Sequence, residues 1–433
     1  MTTSHRLSRR TLLRAAAATG GAALLSSCAR GPGSVDLAYW NFFTGSDGEL
    51  MVGLVNDFRA QAPRVRVTDT TLMWGSPYYT KLAMACAGGR APDLATMHAS
   101  RLATFGRDLL DEWDLGELAA RGVRVEDFPR PAVERVMIDG RLMALPLDTH
   151  PLVLYYNTDI CERAGLLASD GTLAPIRSAE QMLDAGRRAA EVTGSIGIAF
   201  GADDNFATWM LFWSLYNQLG AEMVLPDGGP AQVDRAATVQ AMGFLRDMCD
   251  GTIASQTLDG QAAPAAFASQ QAGFLIIGPW EITTARTAEI PFSMTQFPAL
   301  FGDVPYVRAD SHSFVLPSQA RVDPEARGAA YDMAVSMLRS SLDWAAGGGH
   351  VPALSAVAES PEYLALQPQS NYREAAQVAV FDPEAYFSGS GSTLMQRAGQ
   401  SLKGVTSGAL TPEQAADDLI GWLDEQLTLG SPL

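Results

Sequence analysis

The sequence predicts an α/β protein in which mainly parallel sheets are flanked by helices. Short apolar or alternating runs take turns with runs of helical period along the chain, the order that a parallel sheet with covering helices requires. Hydrophobic residues make up 47% and charged residues 18% of the 433 positions. That balance lets the chain bury cores and excludes wholesale disorder. At roughly 150 residues per domain the length allows two or three domains. No internal repeat or low-complexity linker separates them, so the domains interleave instead of following one another as beads.

The elements follow in order. Ser8-Arg9-Arg10-Thr11-Leu12-Leu13 leads into an apolar run over 15–25, the layout of a bacterial export signal of the twin-arginine type and too short for a transmembrane helix. Leu25-Ser26-Ser27-Cys28 resembles the lipobox of bacterial lipoproteins, which implies cleavage before Cys28 and lipid on its thiol. Without the first 27 residues, which hold four Arg and no acid, 48 acidic residues face 27 basic ones, a net charge of −21. Nucleic acid is excluded as a partner by that sign, and an anionic membrane surface is reached only through the anchor. No later run approaches the roughly 18 apolar residues of a transmembrane helix.

Residues 35–43 read as a strand. Ser46-Asp47-Gly48-Glu49 predicts a capping box ahead of Met51, Leu54, Val55 and Phe58 at helical spacing. After a strand at 65–67, Ser76 before Pro77 predicts an N-cap with proline at the first helical position, for a helix stopping at Gly88-Gly89. Later strands fall at 94–97, 152–157, 196–200 and 274–277. Helices fall at 178–192, 208–219, 235–249, 324–339 and 412–427, the last opened by a capping box at Thr411-Pro412-Glu413-Gln414. Cys86, Cys161 and Cys249 either pair once with one left over or stay as buried free thiols, which their helix-pattern positions favour. The absence of CxxC pairs excludes a cysteine zinc site.

A set of short motifs then carries a resemblance: Tyr39-Trp40-Asn41, Tyr78-Tyr79-Thr80-Lys81-Leu82, Ala91-Pro92-Asp93-Leu94, Leu154-Tyr155-Tyr156-Asn157 and Gly278-Pro279-Trp280. In this order, behind a lipobox, residues 36–430 resemble the extracellular solute-binding proteins of ABC importers, in the carbohydrate-binding group that includes maltose-binding protein. The resemblance implies a two-lobe periplasmic-binding-protein-like fold of type II, with lobes at 36–147 plus 305–345 and at 148–304 plus 346–433, closing on a ligand between them. It also implies delivery to ABC permease subunits at the outer face of the cell membrane, by a monomer that needs no cofactor.

A sugar shows an apolar C–H face and a rim of hydroxyls, so aromatic rings and planar polar side chains recognise it. Parallel sheets collect such groups at the carboxyl ends of their strands. That rule selects Trp40, Asn41 and Phe43 after the first strand, and His98, Ser100 and Arg101 after the strand at 94–97. Asp148 and His150 precede the strand at 152–157, near the first crossing between lobes. Trp280 follows Gly278-Pro279 and resembles the family's stacking tryptophan. Trp74, Asn205 and Trp209 stand at helix starts, against a competing role in the core. Gly348 lies in Gly347-Gly348-Gly349-His350, which reads either as a helix stop or as a glycine-rich approach to ligand.

His98, His150, His312 and His350 all fall in loops or at strand ends, with Asp148 and Asp310 close by. They read as sugar contacts, as structural groups or as metal ligands; no His-x-x-x-His spacing supports the last. Most cleft candidates are neutral, which selects an uncharged or weakly charged mono- or oligosaccharide. Arg101 alone keeps a glycerol-phosphate or glycerophosphodiester as the alternative. A secreted glycoside hydrolase needs two facing carboxylates, and no GxSxG, HExxH or phosphate loop supports another enzyme.

Overall fold

The computed structural model describes residues 33–106 and 108–430; the twin-arginine segment and Cys28 lie outside the described residues. In strand Val35–Asn41 the alternate residues Leu37, Tyr39 and Asn41 are buried, and the strand pairs in parallel with Val65–Thr71 and Leu94–His98. Strand His312–Pro317 returns from far along the chain to lie antiparallel beside Leu94–His98, and Leu110–Asp111 closes that edge. Every residue of Leu94–His98 and His312–Pro317 is buried, because helices or the other lobe cover both faces.

The second sheet runs Ile198–Ala199, Phe274–Ile277, Val153–Asn157, Phe292–Gln296. Three strands share one direction, and Val153–Asn157 opposes both its neighbours. The reason is connectivity: this strand enters straight from the interlobe crossing and must run away from it. Phe274–Ile277 runs toward the crossing and delivers Trp280 there. A third sheet, Val351–Pro352, Asp148–Pro151, Val307–Asp310, Ala379–Val380, joins the two lobes.

Two large cores lie on either side of that junction. One takes residues between Leu37 and Leu147 and between Phe314 and Leu354. The other takes residues from Leu152 to Leu300, then Val307, and from Ala375 to Leu427, with a smaller cluster around Val153, Phe267, Leu275 and Met294 on the far face of its sheet. Among the described residues no helix is long and apolar enough to cross a membrane.

Two expected caps do not form. Helix Gly45–Gln61 starts from Thr44 with no side-chain cap, and helix Ser76–Ala87 starts from Gly75, whose φ of 89° suits glycine. Ser46 instead receives a hydrogen bond from Thr283 Oγ1 at 3.3 Å, and Ser76 Oγ donates to the Gly391 carbonyl at 3.2 Å. Both hydroxyls thus serve contacts between the lobes. The box at Thr411 forms as expected, with Gln414 and Thr411 bonding each other's backbone. Helix Asn205–Gln218 shows no polar stripe: every residue from Ala207 to Tyr216 is buried, since helices Thr393–Thr406 and Arg235–Met248 and strand Val307–Asp310 surround it.

Cys86, Cys161 and Cys249 are free and buried. Burial pushes the Cys86 thiol up to about 11 and those of Cys161 and Cys249 up to about 12. Thiolate is the reactive form, so a thiol-specific disulfide reagent at pH 8 should leave all three unmodified in the native protein and modify all three after denaturation. Rapid reaction before unfolding would contradict this packing.

Candidate functional site

Asp148 is the hub of the junction. Strand alternation puts Asp148 and His150 on one face of Asp148–Pro151, and the register sets Asp310 opposite His150 and His312 opposite His98. Asp148 Oδ1 accepts from the His312 backbone N–H at 2.9 Å and lies 3.0 Å from His150 Nδ1. Its Oδ2 accepts from Trp344 Nε1 at 2.7 Å and lies 2.7 Å from His312 Nδ1. His350 comes from the third crossing, with Nδ1 3.8 Å from the same Oδ2 and Nε2 3.2 Å from Asp47 Oδ2.

Burial sets the charges of this cluster. It holds His150 down to about 4 and His98 well below the usual imidazole range. Burial also opposes ionisation of Asp148, but the surrounding imidazoles and donors outweigh it and keep its carboxyl well below the usual range. With His150 neutral at pH 7, that anion rests on Trp344, on the His312 N–H and on His350. Burial pulls His350 down too, yet Asp47 and Asp148 outweigh it and leave His350 raised.

A second buried network crosses the same junction. The fully buried Arg308 donates from Nη2 to Asp382 Oδ2 at 2.8 Å and Asp310 Oδ2 at 3.2 Å, and from Nε to Asp382 Oδ1 at 3.1 Å. Burial lowers the Arg308 pKa, and the two aspartates more than restore it. Asp310 also takes the Ser100 N–H at 3.1 Å and the Ser100 hydroxyl, whose oxygen accepts from Ser390 N at 2.9 Å. First lobe, crossing and second lobe are thereby linked.

Beside these networks five rings form a closed circuit drawn from both lobes. Centroid separations are 6.2 Å for Trp74 to Phe206, 5.8 Å for Phe206 to Trp280 and 6.1 Å for Trp280 to His150. The circuit closes through His150 to His98 at 5.6 Å and His98 to Trp74 at 6.3 Å. Trp74 is 41% exposed, and Phe206 and Trp280 are half-buried. Partly open aromatic faces set among buried polar groups can cover the C–H face of a small polar ligand while its hydroxyls bond to the surroundings.

A family model described as bacterial extracellular solute-binding protein matches residues 44–332. The chain belongs to that family. An arabinooligosaccharide-binding protein of Halalkalibacterium halodurans is 21% identical over 218 residues, which cover 50% of this chain and 46% of the relative. The chain thus spans about half the length of the curated relatives it matches. The GacH receptor of Streptomyces glaucescens, solved unliganded and with acarbose, aligns at a TM-score of 0.75 and 20% identity, covering 91% of this chain and 99% of that one. A cyclic α-maltosyl-1,6-maltose binding protein from Arthrobacter globiformis gives 0.73 and 19%, covering 92% and 100%. The fold is that two-lobed one.

In this solute-binding protein the residues singled out from sequence separate into groups. His98, Asp148, His150, His312, His350, Phe43 and Trp280 converge at the junction; Phe43 sets its edge against His312 at 4.8 Å and Trp344 at 4.9 Å. Ser100 and Asp310 belong to the Arg308 network. Arg101 is buried over the Tyr79 ring, 4.7 Å from its centroid, and donates to the Ser388 carbonyl at 3.1 Å. Gly348 belongs at the junction: a Cβ there would lie 2.7 Å from His350 and 2.9 Å from Asp47.

Other candidates sit elsewhere. Trp40 points to the opposite face from Tyr39 and Asn41 and lines an outer groove of about 610 Å³ with Pro77, Thr80, Lys81 and Met84. No residue of the histidine cluster lines that groove. Asn41 Oδ1 accepts from Phe43 N and Thr71 Oγ1, both at 3.1 Å, and so shapes the strand end. Trp209 is wholly buried and donates to Asp382 Oδ1 at 2.8 Å, because its helix is enclosed on all sides. Asn205 is held by Gln396 at 2.7 Å and packs over Gly399.

Sequence reasoning passed over Phe206, Trp344, Arg308 and Asp382. Arg308, a cation between Val307 and Ala309 in a strand fit for burial, was a signal in itself, since a buried charge must find partners. Asp382 carried none.

Proposed function

We propose that this chain captures an uncharged or weakly charged mono- or oligosaccharide between its lobes and delivers it to the permease subunits of an ABC importer. The observation that carries this reading is the five-ring circuit, built from both lobes and flanked by buried polar groups. Contacts drawn from both lobes favour the closed arrangement by differential binding, the logic of hinge proteins. The moving bodies are 36–147 plus 305–345 and 148–304 plus 346–433, except that Ala353 and Leu354 pack with the first and Val307 packs with the second. Arg9-Arg10 and Cys28 support export and a lipid anchor on the outer face of the cell membrane, with a monomer as the working unit. Binding without chemistry fits the carboxylates: Asp148, Asp310 and Asp382 are each engaged by several protein donors, which commits them to the protein's own networks.

A phosphodiester ligand is the second reading, favoured by two buried guanidinium nitrogens without partners, Arg101 Nε and Arg308 Nη1. Asp310 and Asp382 already balance Arg308, which weighs toward the sugar. Calorimetry with arabino- and malto-oligosaccharides against glycerophosphodiesters tests the choice. A sugar is expected to bind at about micromolar affinity, roughly 8 kcal/mol; heat from the phosphodiesters alone would reverse the assignment.

A further inference from the structure

We propose that Asp148, His150, His312 and His350 form a site for one divalent transition-metal ion that ties together the three segments on which the lobes turn. Three imidazoles and one carboxylate are a donor set that suits zinc and its neighbours in the first transition row. One ligand atom from each of the four buried residues lies within 4.8 Å of all the others. The closer pairs stand at 2.7 Å for His312 Nδ1 to Asp148 Oδ2, 3.0 Å for His150 Nδ1 to Asp148 Oδ1 and 3.8 Å for His350 Nδ1 to Asp148 Oδ2. Tetrahedral zinc with bonds near 2.0–2.1 Å sets its ligand atoms about 3.3 Å apart. The closer pairs bracket that spacing, and the widest separation needs to shrink by about 1.5 Å, a movement that rotating imidazoles supply.

A second observation points to the same place. His350 Nδ1 is buried and has no hydrogen-bond partner, while its other nitrogen faces Asp47 at 3.2 Å. This is the arrangement in which a carboxylate holds the far ring proton of a metal-bound histidine and aims the near lone pair at the ion. The supports of the other ligands are equally set. Trp344 Nε1 and the His312 N–H hold the Asp148 carboxylate, His350 stacks on Trp344 at 4.7 Å, and His150 stacks on His312 at 4.2 Å.

The placement gives the ion its consequence. Asp148 and His150 lie on the first crossing strand, His312 follows the second and His350 precedes the third. An ion held by all four would restrict the hinge and fix the imidazole of His150, which borders the ring circuit through Trp280. Because an ion needs bare imidazole nitrogens, each liganding ring must hold its proton on the nitrogen that faces away from the ion.

The test uses chelator-stripped mature protein with no sugar present, so it stands apart from the ligand assignment. Zinc titration by calorimetry is expected to show one ion per chain at micromolar affinity or tighter, and magnesium to show no heat. Cobalt is expected to give the strong visible bands of a tetrahedral site. His350→Gln should weaken zinc at least ten-fold. Asp47→Asn, which keeps all four ligands, should weaken it by about 10–100-fold and decides the matter should His350→Gln fail to fold. Substoichiometric zinc, a weak octahedral cobalt spectrum, or unchanged zinc affinity in Asp47→Asn would each overturn the site.

Discussion

Trp280→Ala is expected to weaken binding of the proposed sugar ligand about thirty-fold, equivalent to about 2 kcal/mol, the loss usual for a central aromatic anchor. Trp280 is the one member of the ring circuit that meets both Phe206 and His150, so its removal opens the circuit on two sides. Its indole also lies directly over Gly278: a Cβ there would come within 1.9 Å of Trp280 Cζ3. Gly278 has an ordinary φ of −75°, so the glycine is required for the close approach of the ring and not for the backbone. Gly278→Ala should therefore displace the indole and weaken binding in the same direction. The melting temperature of Trp280→Ala should stay close to that of the parent, since the ring is partly open and lies outside the fully buried cores. Calorimetry on both variants checks this, and parental affinity in both would remove Trp280 from the site.

Arg308→Met is expected to destabilise the fold by about 3–5 kcal/mol, because it strands two buried carboxylates that now share one guanidinium. Asp310 keeps its Ser100 donors, and Asp382 keeps only Trp209 Nε1 among its side-chain donors. Replacing Asp382 by Asn as well should recover part of the loss, since the stranded charge and not the missing contact is the larger cost. Arg130→Ala provides the contrast: Arg130 pairs with Glu134 at 2.6 Å on the open surface, where ion pairs contribute little. Urea unfolding read from the midpoint distinguishes these variants. An Arg308→Met midpoint close to that of Arg130→Ala would show that the buried network does not stabilise the protein.

Local chemistry in the chain announced much of the site without placing it. The Gly278-Pro279-Trp280 break after an apolar strand singled out Trp280, which joins the ring circuit, and four histidines outside every apolar helix stripe were visibly unusual. Period-two alternation in Tyr39-Trp40-Asn41 already separated Trp40 from its neighbours, though the strand-end argument grouped all three. Trp209 misled because its helix has no polar side: enclosed on every face, it gives no stripe from which a cleft-facing position can be told from a core one. Phe206, three residues earlier and half-buried, faces the cleft instead.

By itself the sequence determined the alternation of strands and helices and the capping at Thr411, favoured buried free thiols over a disulfide, and put the four histidines in loops or at strand ends. Each of these depends on interactions within a few residues or on simple apolar periodicity. Tertiary structure alone decided that Asp148, His312 and His350 share one point, although 164 and 202 positions separate the latter two from Asp148. It likewise decided that Ser46 and Ser76 bond across the lobes instead of capping their own helices, and that Arg308 lies between Asp310 and Asp382. Such meetings follow from the register of strands that return from distant parts of the chain, and from burial that leaves each polar group to find whatever partner the packing brings within reach.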